Sequence, residues 1–164
     1  MRFSRLDTAI ALAKKEAAAL TALDARLQSF VVGYLIVDII SEFELRLEAM
    51  FALRAKKLGD VPNANFVGKM LDRKFRSPDV GKINEALRNH DAAFLNAFDT
   101  KLAGTRWKTG MDNLMTNRHC YVHKSGTPTM TLQDVEQAYN DAVLLFDALA
   151  HALGLTAADC AHFT

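Results

Sequence analysis

Eight consecutive residues, Asn117-Arg118-His119-Cys120-Tyr121-Val122-His123-Lys124, hold a dense set of groups able to move protons or bind phosphate. His is the side chain whose unperturbed pKa lies nearest neutrality, so His119 and His123 can each serve as base or acid. The planar guanidinium of Arg118 suits a pair of phosphoryl oxygens. The surrounding pattern is helical, with Trp107, Met111, Leu114 or Met115 and Val122 on one stripe. Position 118 falls on that apolar stripe, and it is Arg. Desolvating a guanidinium without a partner is costly. Arg118 is therefore expected to face a polar cleft, a subunit interface or a carboxylate such as Glu42, unless its stem snorkels past the core to water. On an ideal helix, Arg118 and His123 point roughly 140° apart. They converge only if Arg118 bends round or the helix ends near His123. Gly126 and Pro128 predict the second.

Other groups admit a functional and a plain reading. His119 and His123 lie four apart on one helical face, which is also the spacing of metal ligands. The Glu of an H-E-x-x-H pair is missing, since position 120 is Cys, and no third ligand is signalled. His151, Cys160 and His162 could join only through the fold, so neither a metal nor another cofactor is expected. Lys69, Arg73, Lys74 and Arg76 leave a local charge of +3 once Asp72 is subtracted from the four cations. That cluster reads either as an RNA-tracking patch or as a solvated helix face. Asp38 and Glu42 share a face of a very apolar helix, as an exposed side or as a buried acidic partner for Arg118. Trp107 and the Phe residues fit a bundle core. Cys120 is a lone thiol, with nothing beside it to support a cysteine hydrolase.

The elements that must position these groups are helical. Of 164 residues only 8 are Gly and 3 are Pro, while Ala and Leu far outnumber Val and Ile. This argues against sandwiches, barrels and βαβ folds, which need many turns. The pattern predicts helices over 3–27 and 28–57, the two continuous if the chain stays helical through Asp24. The second is apolar nearly all round in its first half, which places it at the centre of a bundle or in a subunit interface. A turn follows at 58–63, then a helix over 64–76 ending before Ser77-Pro78. Residues 79–102 form one helix or two joined near Asn89-His90. A helix over 106–123 comes next. Thr131, with Asp134 three residues on, marks the N-cap of a last helix running to Leu153, and Gly154 takes its C′ position. Residues 156–164 read as a frayed end or a short helical turn. The expected architecture is a single domain over 1–164, an all-α bundle of five to six helices.

The totals set the context. A net charge of +1 carries no global footprint of a polyanion partner. Two well-separated cysteines suit a reducing compartment, and a cytoplasmic protein is expected. The most apolar stretch, 30–40, is far short of a membrane span, so no membrane association is expected.

The order of these features resembles HEPN domains (higher eukaryotes and prokaryotes nucleotide-binding). Arg118, four residues and His123 match the R-x4-6-H motif of that family. The surroundings resemble its ribonuclease-LS and phage-shock-associated group. There is a long apolar helix with an acidic residue and a basic tail, here 34–57 with Glu42. A helical region with spaced Phe follows, here 66–102, then the motif, a Gly-containing loop and a final amphipathic helix. The resemblance covers residues 20–155. It implies a metal-independent endoribonuclease acting as a homodimer, with two motifs facing each other. In such an enzyme His123 is the general base for a ribose 2′-OH, and Arg118 holds the scissile phosphate. His119 assists as acid or phosphate ligand, Tyr121 stacks a base or donates a hydrogen bond, and Glu42 orients Arg118 or His123. Asn117 supports the motif, and Lys124, Lys69, Arg73, Lys74 and Arg76 contact RNA. A toxin or phage-defence role is implied, with an antitoxin or nucleotidyltransferase-type partner. One residue departs from the pattern: the position after the motif arginine is most often Asn, and here it is His119. That departure leaves a second expectation, a non-catalytic HEPN-like module that binds RNA or nucleotide or mediates protein interactions.

Overall fold

Every regular element among the described residues is an α-helix. The computed structural model describes residues 3–16, 19, 25–59, 67, 69–71, 74–124 and 126–161. Helix α1 is Ser4–Lys15, and α2 is the long helix Ala25–Lys57. They are followed by α3, Val80–His90, and α4, Ala92–Lys101. The motif helix α5 is Trp107–His123. Helices α6, Leu132–Ala142, α7, Leu144–Ala152, and the short α8, Ala157–Cys160, are the last elements among the described residues. No helix among the described residues is long and apolar enough to cross a membrane.

The all-α bundle stands, and its finer breaks have local causes. Residues 79–102 form two helices because Asp91 is extended, at φ −168° and ψ 134°, and its carboxylate accepts the Ala93 N–H to cap α4. The last predicted helix divides at Val143, whose carbonyl accepts the Phe146 N–H in a tighter turn. Thr131 and Asp134 form the expected capping box at the start of α6. At the end of α7, Gly154 has φ +63°, and the N–H groups of Gly154 and Leu155 bond His151 and Ala150 carbonyls. This Schellman closure is the C′ role expected of Gly154. The short turn expected near the C-terminus is α8, with its own capping box from Thr156 and Asp159. Of the helix expected over 3–27, residues 4–15 are helical, and 17–18 and 20–24 lie outside the described residues. So does most of the stretch 60–73, including Phe66, Asp72 and Arg73.

Helix α2 is the spine. It sends Ile36, Ile39, Ile40, Phe43, Leu47 and Met50 into a common core, each fully buried. Phe3 and Phe146 pack edge-to-face in that core, and Phe43 stacks on Tyr139. The Tyr139 hydroxyl donates to Asp7 at 3.0 Å, which satisfies the polar end of an otherwise buried ring. Yet Phe30, Tyr34 and Leu45 on the same helix are 60–63% exposed.

The motif helix α5 packs most extensively on α6, and next on α2. Gly110 makes the first crossing close: a Cβ there would stand 2.5 Å from the Ala138 carbonyl oxygen and 2.9 Å from the Ala142 nitrogen. Gly33 does the same on the α2 side, where a Cβ would run into the Tyr121 ring. These two glycines fix how α5 lies, and so which way its last turns point.

Candidate functional site

Helix α5 buries Trp107, Met111 and Leu114 on one stripe. Arg118 continues that stripe as its inner face approaches α2 and the turn before α3. Its Nη1 donates to the Ser77 hydroxyl at 2.6 Å, and its Nη2 pairs with Glu44 Oε1 at 3.3 Å. The side chains of Arg118 and Glu44 are 17% and 19% exposed. The guanidinium therefore has a hydroxyl and a carboxylate for its two Nη groups and does not snorkel to open water, while its buried Nε has no hydrogen-bond partner.

The carboxylate is Glu44 and not the expected Glu42. Glu42 accepts from Arg46 at 2.7 Å and from Arg5 at 3.3 Å. Two residues along a helix turn the side chain by about 200°. Glu42 thus meets α1, while Glu44 meets α5. Asp38 joins the Glu42 group, accepting from Arg5 at 2.7 Å. The Arg5 guanidinium is raised above its ordinary pKa, mainly by that bond to Asp38.

Ser77 is the unexpected member of the site. It has φ +55°, the left-handed region that non-glycine residues seldom occupy. Its N–H donates to Glu44 Oε1 at 2.8 Å, so one carboxylate oxygen serves both Ser77 and Arg118. Lys82 Nζ donates to the Arg76 and Ser77 carbonyls at 2.8 and 2.9 Å. Pro78 is buried, and Asp79 caps α3 by accepting the Lys82 N–H at 2.8 Å. A strained backbone persists where its surroundings over-determine it, and this turn is held on every side. Ser77-Pro78 is visible in the sequence as a helix terminator; the sign that it does more is that Pro pushes Ser77 away from helical geometry.

His123 is the last residue of α5 and is exposed, as is His119. Their ring centres lie 5.1 Å apart with planes at 46°. The helix does stop where Gly126 and Pro128 predict, but one residue too late to swing His123 round. Still helical, it sits about 140° from Arg118. The expected convergence of Arg118 and His123 therefore does not occur within one chain. Two faces result: an anchored guanidinium on one, an open pair of imidazoles on the other.

The neighbours of the motif are occupied structurally. Asn117 is 6% exposed. Its Oδ1 accepts from the N–H and hydroxyl of Thr129 at 2.8 and 3.1 Å, and its Nδ2 donates to the Asn113 carbonyl at 3.0 Å. It clamps the loop after α5 to the helix. Tyr121 lies against Gly33, so part of its ring packs in the α2–α5 crossing. Cys120 packs against Gly126, where a Cβ would approach its Sγ to 2.5 Å. Lys124 caps α5 and is exposed. With His119, Cys120, Thr116, Met115 and Thr129 it borders an open groove of about 480 Å³.

The basic cluster is partly engaged within the fold. Lys69 is exposed, and Arg76 is exposed and adjoins Ser77. Lys74 pairs with Glu85 at 3.0 Å, and this bond holds the Glu85 carboxyl below its ordinary pKa. Arg73 lies outside the described residues. Arg76 brings part of the cluster beside the Arg118 anchor, a proximity the sequence separation hides. Among the described residues, no group of three or more His, Cys, Asp or Glu side chains could hold a metal ion.

No protein-family model matches this chain, and no curated protein or solved structure matches it.

Proposed function

We propose that this chain is a metal-independent endoribonuclease of HEPN type, whose active site is completed by a second copy. The observation that carries the reading is the division of the motif: Arg118 is anchored inward while His119 and His123 stand open to solvent. A homodimer would bring His123 of one copy to Arg118 of the other. The exposed Phe30 and Tyr34 of α2 and the 47% exposed Val122 of α5 offer apolar surface for such a contact.

In the proposed reaction, His123 takes the proton of a ribose 2′-OH. The 2′ oxygen attacks the adjacent phosphorus, the bond to the 5′ oxygen breaks, and an acid protonates that leaving oxygen. A second imidazole, such as His119, supplies the acid. The products are a 2′,3′-cyclic phosphate and a 5′-hydroxyl. Arg118 stabilises the charge that develops on the phosphoryl oxygens. Two of its five N–H donors serve Ser77 and Glu44, and Nε is buried, so the second N–H on each Nη is the group that would meet phosphate. Lys124, Lys69 and Arg76, with Lys74 and Arg73, would steer the RNA backbone. The proposed setting is a cytoplasmic toxin or phage-defence effector, restrained by an antitoxin or nucleotidyltransferase-type partner.

The test is incubation with mixed RNA in EDTA. Wild type is expected to leave 2′,3′-cyclic ends, with His123→Ala and Arg118→Ala slower by about 10²-fold or more. Mixing the two dead variants should restore about a quarter of wild-type activity, since half the dimers then hold one intact composite site. No recovery on mixing, in a protein that cleaves, would remove the composite site. No cleavage by wild type would favour the second reading, a non-catalytic RNA- or nucleotide-binding or interaction module. That reading draws on the engagement of Arg118 with Glu44 and Ser77 and on His119 after the motif arginine.

A further inference from the structure

We propose that His119 and His123 form a chelating site for a borderline divalent transition-metal ion, Zn²⁺, Ni²⁺ or Cu²⁺. Residues four apart on a helix share a face, and both imidazoles are exposed there. A tetrahedral ion bonded to one nitrogen of each ring at about 2.0–2.1 Å places the two ring centres about 5 Å apart. The rings of His119 and His123 are already 5.1 Å apart, tilted by 46°. The separation already matches, and rotation of the two exposed rings would turn one nitrogen of each toward the ion. Imidazole nitrogen selects this class over Mg²⁺ and Ca²⁺, which take oxygen ligands.

No third protein ligand is at hand among the described residues, and Cys120 is turned against Gly126. Water fills the remaining positions, so the ion exchanges readily. Lys124, adjoining His123, works against a cation and keeps the affinity modest. Such an ion is an antagonist and not a cofactor. This consequence rests on the ribonuclease reading: a nitrogen lone pair given to a metal cannot accept a 2′-OH proton. Asn at position 119 would not make this chelate, so the His found there adds metal sensitivity to a metal-independent site.

The binding test needs no RNA. Zn²⁺ is titrated against a chromophoric chelator at pH 7.5 with wild type, His119→Ala, His123→Ala and His151→Ala, with circular dichroism to verify folding. The tightest site should weaken at least tenfold in each of the first two variants and stay unchanged in the third. Equal affinity in all four proteins, or no saturable binding to wild type, would overturn the proposal. In a cleavage assay, inhibition should follow occupancy of that site. Full cleavage with the site saturated would overturn the antagonism, whereas absence of any cleavage counts against the ribonuclease reading alone.

Discussion

At the scale of single residues, the centre of the site is a guanidinium held by one carboxylate and one hydroxyl. Glu44 and Arg118 are both largely buried, so removing either leaves a charge without its partner. A double-mutant cycle of Glu44→Ala and Arg118→Ala should give a coupling of about 1–3 kcal/mol, measured by urea denaturation. The same cycle on Glu42 and Arg118 should give zero within about 0.3 kcal/mol; a large coupling there would show that the wrong carboxylate has been assigned. Ser77 combines a favourable and an unfavourable contribution. Its hydroxyl accepts from Arg118, while its φ of +55° is strained. Ser77→Ala loses the hydrogen bond and keeps the strain; Ser77→Gly loses the bond and relieves the strain. The Gly variant should therefore be the more stable of the two by about 1 kcal/mol. Equal stabilities would mean that the turn costs nothing.

At the scale of elements, Gly110 governs how closely α5 approaches α6. Gly110→Ala would add roughly 1 kcal/mol of helix propensity. It would also drive a methyl group into the α6 backbone, and the net result should be a loss of about 1–2 kcal/mol. Thermal denaturation decides this, and a neutral or stabilising result would mean that the crossing can slide apart. Much at this scale was legible in the sequence. The stop after His123, the Thr131 cap and the Gly154 closure are local, set by residues within one turn of where they act. What could not be read was the phase of α2. A helix apolar nearly all round gives no stripe by which to choose its faces. Glu42 and Glu44 therefore could not be assigned to neighbours, though they point in nearly opposite directions. Ser77 was hidden for a related reason. Its role depends on Glu44, Lys82 and Arg118, which reach it from three helices.

At the scale of the whole molecule, the end of the chain is tied back to the spine. Lys57, at the end of α2, pairs with Asp159 of α8 at 2.6 Å, across 102 residues of sequence. This ammonium, with the Thr156 N–H and hydroxyl, holds the Asp159 carboxyl well below the ordinary carboxylate range. The native pKa lies below the unfolded one, so the stabilisation is fully present above the ordinary Asp value of 3.8 and fades as pH falls toward the native value. Asp159→Asn should therefore be less stable than wild type at pH 6, with the gap narrowing below about pH 4. Melting temperatures measured across that range will decide, and a gap independent of pH would assign the effect to shape instead of charge.

The contact between Gly33 and Tyr121 has a consequence for sequence variation. Bulk at one position excludes bulk at the other, because a Cβ at 33 would overlap the ring at 121. Homologous chains with the same crossing should exchange volume between these sites: Ala or Ser at 33 together with a smaller residue at 121, and an aromatic at 121 only above Gly. Such covariation would trace the seating of the motif helix on the spine through a lineage, even where the motif itself has been lost.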